Sequence, residues 1–469
     1  MSRKIDIKNI TENSDGTVDL YVDREKIYIR RVRGFYRNLR VYGGAFLFLL
    51  YFGTLWLDWD GRQAVLFDLP SRQFHVFGIT FWPQDFMLLS WALIIAAFAL
   101  FLVTVFAGRV WCGYTCPQTV WTWIFVFIEE KTEGKRNARK KLDEQGKGPE
   151  KWARKTAKHV LWVMVALATA ITFVGYFTPI KTLVPEFFTL QAHGWAFFWI
   201  GFFTLATYGN AGWLREQVCI YMCPYARFQS VMFDQDTLIV SYDEKRGEPR
   251  GARKRGVDPK ADNLGDCIDC DLCVQVCPTG IDIREGLQYE CITCAACIDA
   301  CNSVMDKMGY DPGLIRYTTE HALEGKETKI LRPRLVGYAA AMLVMISVFT
   351  YVLLTRIPLE LTVERGRGVL HSTTPQGQIE NSYVLRILNK AQSDYVYQLS
   401  ATGPDGIELI APTEISLAAN EATQLPVRLV LDPDLFRGPS QEVVFRLEAI
   451  GDPRVSIKQD SRFFGPQTF

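Results

Sequence analysis

Histidine is scarce in this chain, and several familiar cofactor-binding motifs are missing from it. The 469 residues include five histidines, and no C-x-x-C-H segment occurs, so covalently attached haem is not indicated. No G-x-G-x-x-G segment follows a predicted strand, which argues against a Rossmann-type dinucleotide domain. The net charge is only +1, and the basic runs lie beside apolar segments, where they suit anionic lipid better than nucleic acid. The apolar segments and the cysteines are therefore the informative features.

Charged residues are absent from five long apolar segments of the chain. A bilayer span takes about 20 apolar residues, and ionisable residues inside spans usually mark ion or proton pathways. Their absence argues against a pump or a coupled transporter. The pattern predicts a polytopic α-helical membrane protein with five spans. The predicted spans are Val41–Leu57, Phe86–Ala107, Val160–Ile180, Gly194–Leu214 and Leu335–Thr355.

Lys and Arg residues are distributed unevenly among the connecting segments. Arg24–Arg40 contains seven of them and Arg109–Lys158 contains twelve, whereas Lys181–His193 contains one. By the positive-inside rule the N-terminus lies in the cytoplasm, and residues 1–40 lack the apolar core and cleavage site of a secretory signal. We therefore predict a multi-pass protein of a bacterial inner membrane, with a periplasmic C-terminal domain.

Eight of the twelve cysteines fall within 35 residues. They form two runs of the type C-x-x-C-x-x-C-x-x-x-C, as in bacterial ferredoxins with two clusters, where each cubane takes three thiolates from one run and the fourth from the other. Zinc sites or a disulfide knot are the alternative, but zinc sites rarely use four evenly spaced cysteines twice. The sequence predicts two 4Fe–4S clusters. The predicted ligands are Cys267, Cys270, Cys273 and Cys301 for one cluster, and Cys277, Cys291, Cys294 and Cys297 for the other.

Another cysteine motif, C-x-Y-x-C-P, occurs twice, each time shortly after a predicted span. The repeat indicates a duplicated span–motif unit whose thiolates meet at the cytoplasmic face. Such a group would hold a third iron–sulfur cluster, bind Cu(I), work as a thiol pair, or pack as ordinary buried side chains. We expect Val110–Ile128, which carries the first copy, to be interfacial or re-entrant rather than a span. The candidate catalytic and metal-binding residues are Cys112, Cys116, Cys219 and Cys223, with Met222 as a further metal ligand.

The chain after the last predicted span has the pattern of a β domain. Strand-forming runs near Leu359, Tyr395, Val427 and Val443 are separated by turn signals, which predicts an immunoglobulin-like sandwich. No cysteine occurs in it, and a docking role is expected. The predicted organisation is a cytoplasmic segment 1–40, a duplicated membrane module 41–233, a polar linker 234–265, a two-cluster ferredoxin domain 266–310, a connector 311–334, a last span 335–355 and a periplasmic immunoglobulin-like domain 356–469.

The order of these parts resembles the CcoG (FixG, RdxA) family of accessory proteins of cbb-type cytochrome c oxidases. The segments Trp111–Gln118 and Cys219–Pro224 and the ferredoxin double run carry the resemblance, which covers essentially the whole chain. It implies a cupric reductase that supplies Cu(I) for the oxidase copper site. It also implies a copper-exporting ATPase and the oxidase subunits as partners, with an unknown electron donor.

Two other interpretations remain open. Proteins of the NapH and NosR types share the paired motif and the ferredoxin, so the chain would instead relay electrons from quinol or a soluble donor, with a third cluster at the motif cysteines. Alternatively, it would be a non-catalytic scaffold whose outer sandwich docks the oxidase. Iron content separates two clusters from three, since about eight iron atoms per chain fit the first case and about twelve fit the second.

Overall fold

The structure is a computed structural model that describes residues 26–255, 263–366 and 368–466. Most of the predicted N-terminal segment and a part of the predicted linker lie outside the described residues. The chain divides into two compact units. The first unit contains Met1–Leu47, Leu100–Ala168 and Phe202–Leu335, and the second contains Phe48–Ala99, Thr169–Gly201 and Val336–Phe469.

Four helices within the described residues are long and apolar enough to cross a membrane. In two of them, Pro83–Ala107 and Pro333–Leu354, no part of the most apolar stretch is buried against the rest of the protein. This is expected for helices that are surrounded by lipid. The other two are Phe35–Trp56 and Pro149–Gly175.

The predicted fourth span, Gly194–Leu214, is helical over its whole length but changes type along it. Gly194–Thr207 is an α-helix of 14 residues, and Tyr208–Leu214 continues it as a π-helix. The α-helical part alone is shorter than the roughly 20 residues that a span needs. The count of five spans therefore stays a prediction.

Several predicted span boundaries differ from those of the helices, among them the start of the first span and the end of the third. The first helix begins at Phe35 rather than Val41, because the Asp299 carboxylate accepts hydrogen bonds from the backbone N–H groups of Tyr36 and Arg37, at 3.2 and 2.7 Å. The third span was predicted to reach Ile180, but the helix ends at Gly175. Neither change alters the apolar part of the segment.

The segment Val110–Ile128 is not one continuous helix. Val110–Tyr114 forms a short helix, Thr115 and Cys116 interrupt it, and a second helix covers Pro117–Glu133. Proline is favoured at the first position of a helix because its missing N–H needs no partner there. The break falls within the cysteine motif.

The ferredoxin module extends beyond its predicted limits of 266–310. Strand Ile239–Tyr242 lies in the predicted polar linker, yet it pairs antiparallel with strand Ile315–Thr318 of the predicted connector. Val240 and Leu314 pack in one buried cluster with Cys267. The linker prediction was therefore wrong for this strand, since its four residues, one of them the polar Ser241, are too few to stand out in a charged segment.

The C-terminal region is a two-sheet β domain, as the sequence predicted. Leu385, Leu429 and Phe445 point between the sheets and are completely buried, and burial of each such side chain stabilises the domain by about 1.5–3 kcal/mol. Ser372–Thr373 pairs with Ile379–Asn389 as a short extra strand. In spatial order, the first sheet contains Glu408–Ile410, Ala422–Leu431, Ile379–Asn389 and Leu359–Arg365, and the second contains Glu414–Leu417, Tyr395–Thr402, Ser440–Ala449 and Asp452–Phe464.

A small antiparallel sheet in the second unit was not predicted. Asp85, which follows this sheet, lies 3.1 Å from Lys390 of the β domain and also pairs with Arg356. The Gln392 amide donates a hydrogen bond of 2.9 Å to the Thr80 hydroxyl. Polar contacts therefore hold the β domain against the sheet. Its strands are Val65–Asp68, Gln73–Val76 and Ile79–Phe81.

Shorter elements complete the described chain. The remaining α-helices are Arg136–Glu144, Ile180–Phe188, Pro224–Ser230, Glu244–Gly247, Leu272–Gln275, Ala296–Met308 and Glu320–Glu324, and the remaining strands are Asp58–Trp59 and Arg62–Gln63.

Candidate iron–sulfur and thiol centre

Four cysteines drawn from both ferredoxin runs line one cavity of the first unit, here called the first cavity. Cys267, Cys270 and Cys273 belong to the first run, and Cys301 is the last cysteine of the second run. Cys270 is exposed, whereas Cys267 and Cys273 are buried. The structure thus brings together the four residues that the sequence assigned to one cluster, at a place that reaches the protein surface.

The other four cysteines line a second cavity. Cys277 closes the first run, and Cys291, Cys294 and Cys297 open the second. Cys273 also reaches this wall, so the two cavities adjoin. The rest of the lining is mostly apolar. Each cavity therefore combines three closely spaced cysteines with one from the other run, as predicted for two 4Fe–4S clusters.

The two runs share an unusual backbone geometry. Asp269 and Asp271 flank the second cysteine of the first run with φ of +54° and +52°, and Thr293 and Ala295 flank its counterpart with φ of +55° and +58°. Such left-handed residues are uncommon outside glycine. Backbone that alternates in this way turns successive N–H groups into a concavity that binds anions, including many iron–sulfur clusters. The repeated geometry fits two anionic, thiolate-bound cubanes.

Three of the cysteines that line the cavities are poorly suited to be free thiolates. Burial raises the pKa of Cys273, Cys291 and Cys301 to about 12, so these thiols stay protonated at neutral pH without a compensating cation. Only the thiolate binds metal, and iron provides the positive charge that makes a buried thiolate favourable. The donor set therefore fits iron–sulfur clusters, which when bound would supply a one-electron redox couple.

Both C-x-Y-x-C-P motifs end in the same kind of helix start. Cys116 and Cys223 are the N-cap residues of helices that open with the motif proline. Ahead of the proline the copies differ, because the first lies in the α-helix Val110–Tyr114 and the second in the π-helical turn Val218–Met222. The two motifs supply the thiol quartet, which is Cys112, Cys116, Cys219 and Cys223.

The members of the thiol quartet lie close enough to affect one another's ionisation. Burial is the main cause that raises the pKa of Cys112 and Cys219 to about 12, and the other quartet cysteines add to it. The Cys112 thiol donates a hydrogen bond of 3.3 Å to Gln229 Oε1. Met222, the further predicted ligand, is 61% exposed, and its role as a metal ligand stays a prediction. Among the described residues, no three His, Cys, Asp or Glu side chains are placed to hold a single metal ion.

The first motif packs directly against the second ferredoxin run. A Cβ atom on Gly113 would lie 2.7 Å from the Ile292 carbonyl oxygen and 2.9 Å from Cys294 Cα, so only glycine permits this approach. Cys112 packs against the same buried cluster, which contains Ile292, Cys294 and Ala296. The thiol quartet and the second cavity are therefore immediate neighbours.

Arg109 connects the ferredoxin run to both motifs. Its guanidinium is 4% exposed, donates a hydrogen bond of 2.6 Å to the Ala226 carbonyl and another to the Tyr289 carbonyl, and lies 4.7 Å from the centre of the Tyr289 ring. Its charge opposes the effect of burial on the pKa of Cys112, Cys219 and Cys291. Arg109 thus stabilises negative charge at both redox sites.

An ion cluster fixes the chain just ahead of the second motif. The buried Glu129 carboxylate accepts hydrogen bonds from Arg139 (3.0 Å) and Arg215 (2.7 Å), and Lys158 Nζ lies 3.8 Å away. Burial alone would raise the pKa of Glu129, but these cations outweigh it and lower the pKa. Arg215 has φ of +44°, an unfavourable value for a residue with a Cβ. Its contacts with Glu129 hold that strained position, close to Cys219.

Sequence analysis did not identify Arg109, Arg215 or Glu129 as site residues. The two arginines share a signal that was available, since each stands shortly ahead of a cysteine motif, three residues before Cys112 and four before Cys219. In the sequence they contributed only to the count of basic residues. Glu129 carries no comparable signal, because its partners come from distant segments.

Three family models match successive parts of the chain. Residues 89–127 match a model described as "4Fe-4S binding domain", and residues 214–320 match a "4Fe-4S dicluster domain". Residues 349–466 match the "IG-like fold at C-terminal of FixG". The first match contains the first C-x-Y-x-C-P motif, and the second contains the other motif together with the double run.

Curated relatives match over nearly the whole chain. Protein RdxB and protein RdxA of Cereibacter sphaeroides are each 40% identical to it, over 439 and 456 residues. These alignments cover 90% and 92% of this chain and 92% and 96% of the relatives. The nitrogen fixation protein FixG of Rhizobium meliloti is 37% identical over 421 residues, or 82% of this chain and 80% of FixG. The chain therefore belongs to the family of FixG, RdxA and RdxB, which confirms the resemblance.

Proposed function

We propose that this iron–sulfur electron-transfer protein reduces Cu(II) to Cu(I) at the thiol quartet, for the assembly of a cbb-type cytochrome c oxidase. The packing of Gly113 against Ile292 and Cys294 is the observation that carries the proposal. Cys112, one of the proposed sulfur ligands, packs with Ile292 and Cys294 of the second cavity, which supports a short path between that cavity and the quartet. An electron that reaches this cavity has a short route to a metal ion at the quartet.

The proposed reaction is balanced by a single electron. A cluster held by Cys277, Cys291, Cys294 and Cys297 would supply one electron, which is what Cu(II) needs to become Cu(I). No covalent bond forms or breaks, and no proton has to move between the two centres. Thiolate sulfur selects Cu(I) among copper states, so the quartet favours the product. Arg109 lies beside both sites and limits the cost of negative charge while the electron is transferred.

The apolar helices support a membrane location, and we propose the bacterial inner membrane with five spans. In this topology the N-terminus and the ferredoxin module are cytoplasmic, and the β domain is periplasmic. Cu(I) is then produced on the side from which a copper-exporting ATPase would carry it outward. The β domain would contact subunits of the assembling oxidase.

The test uses the full chain, purified without oxygen in detergent. About eight iron atoms and as many sulfides per chain are expected. Reduced protein is mixed with Cu(II), and Cu(I) formation is followed with a colour-forming chelator. The double variant Cys112→Ser/Cys219→Ser should keep its iron but lose the reaction. Met222→Leu tests the predicted thioether ligand separately: if Met222 binds copper, the reaction should slow while the iron content stays unchanged.

A variant that kept both clusters and reduced Cu(II) at the unaltered rate would exclude the quartet as the reaction site. An iron content of about twelve per chain would instead favour an electron relay with a third cluster. The match of residues 89–127 to a "4Fe-4S binding domain" motivates this second candidate, since it includes Cys112 and Cys116. Spectra of the variant Cys112→Ser/Cys219→Ser distinguish two clusters from three. A cluster signal would disappear in this variant only if the quartet held a third cluster.

A further inference from the structure

A separate cavity of the first unit adjoins the thiol quartet and is lined by an excess of cations. Its wall includes Cys219 of the quartet together with Ile292 and Ala296 of the second ferredoxin run. Most of the wall is apolar, with Trp123 and Phe127 among the larger side chains. Only two carboxylates, those of Glu130 and Glu216, face six arginines. The six arginines are Arg30, Arg31, Arg37, Arg40, Arg139 and Arg215.

The protein neutralises some of these arginines but not all of them. Arg139 and Arg215 share the buried Glu129, and Arg31 lies 3.5 Å from Glu130. Arg30 has only a neutral partner, the Gln275 side chain at 3.2 Å.

Besides Arg30, the lining arginines Arg37 and Arg40 also lack an ion pair among the described residues. The Nε atom of Arg40 is buried and has no hydrogen-bond partner within the described chain. A buried guanidinium donor without an acceptor is costly. An anion bound in the cavity would supply the counter-charge that the described residues leave missing at Arg37 and Arg40.

We propose that this cavity binds a phosphate ester with an apolar body, and that Arg37 and Arg40 contact the phosphate. Guanidinium groups bind phosphate through paired hydrogen bonds, and the apolar walls suit the remainder of such a molecule. Two sources share this chemistry, an anionic phospholipid and flavin mononucleotide. A free copper ion is disfavoured here by the surrounding positive charge. This phosphate site is separate from the proposed copper site, although Cys219 both lines the cavity and belongs to the thiol quartet.

The experiment measures binding by native mass spectrometry of the detergent-washed full chain. The probes are phosphatidylglycerol, flavin mononucleotide and, as a zwitterionic control, phosphatidylcholine. One adduct per chain is expected with one of the first two probes. In the variant Arg37→Gln/Arg40→Gln, binding should weaken by at least about tenfold, the loss expected when charge-assisted hydrogen bonds to an anion are removed.

The control variant Arg33→Gln/Lys140→Gln removes the same charge from exposed residues outside the lining and should bind like the unaltered chain. Unchanged iron content reports that each variant is folded. Arg40→Gln alone provides a milder variant that leaves Arg37 in place, and it should give an intermediate loss. Absence of both adducts in the unaltered chain, or equal weakening in the control variant, would overturn the proposal. Neither result depends on copper reduction, so the proposed function is tested separately.

Discussion

The two ferredoxin cavities have the same cysteine spacing but different surroundings. The first cavity has an exposed cysteine, Cys270, and adjoins Arg284, which pairs with Asp269, Asp271 and Asp282 at 2.6, 2.7 and 2.6 Å. All four cysteines of the second cavity are buried or half-buried, and the neighbouring groups are Arg109 and the thiol quartet. The two cavities therefore share one cysteine spacing, but only the first has an exposed cysteine.

This difference indicates a direction for electron transfer. A cluster in the first cavity is accessible to an external donor at Cys270, whereas one in the second cavity adjoins the group that would receive the electron. Cluster potentials depend on net charge, hydrogen bonding and exposure, and all three differ between the cavities. We expect electrons to enter at the first cavity and leave from the second.

Loss of one cluster at a time should have the largest effect. Cys294→Ala is expected to empty the second cavity and abolish Cu(II) reduction, because a cluster in that cavity would lie beside the quartet and would be lost. Cys270→Ala is expected to disturb the first cavity and preserve the reaction when a small chemical reductant supplies electrons. Iron content should fall toward about four per chain in each variant. Equal rates of Cu(I) formation in the two variants would contradict the proposed direction.

Removal of the buried Glu129 carboxylate should test whether its ion cluster stabilises the chain next to the quartet. Glu129→Gln leaves Arg139, Arg215 and Lys158 without their shared counter-charge, and breaking a buried ion pair costs about 3–5 kcal/mol. Unfolding followed by tryptophan fluorescence measures this loss. Glu150→Gln is the matched control, since it breaks a surface pair with Arg154 and should cost less than about 0.5 kcal/mol. Equal stability of both variants would show that the ion cluster is dispensable.

The contact between the first motif and the second run can be loosened by one methyl group. Gly113→Ala should cost about 1–3 kcal/mol, because the added Cβ meets backbone atoms that cannot rotate away. It should also slow Cu(II) reduction while both clusters remain. Gly209→Ala is the comparison, because nothing lies within 4 Å of its added Cβ. Unaltered reduction kinetics in a folded Gly113→Ala protein would argue against this contact as the electron route.

The smallest expected effect is on cluster potentials. Arg109→Gln removes a buried cation beside the second cavity and should lower the reduction potential of that cluster only, because the reduced state carries more negative charge. Arg284→Gln should act on the first cavity only. Redox titration followed by electron paramagnetic resonance separates the two signals. Arg109→Lys should restore part of the potential, and a shift of both signals in either variant would contradict the assignment.

The sequence by itself determined the chemistry and the local structures. The double run placed eight cysteines in two sets because cluster ligation depends on short spacings, and the structure gathers those sets in two cavities. The β domain followed from alternation and turns, and the apolar helices from composition. The family resemblance could also be predicted from the sequence, because its motifs are short continuous segments, and the relatives confirm it.

Only the tertiary structure decided how these parts meet. Strand Ile239–Tyr242 looked like linker because its partner, Ile315–Thr318, lies beyond the whole ferredoxin run. Arg109 looked like a topology marker, although it binds carbonyl groups from two distant segments. The approach of Gly113 to Ile292 depends on packing between elements far apart in the chain. Spacing and periodicity report what neighbouring residues do together, whereas such long-range contacts exist only once every element has packed.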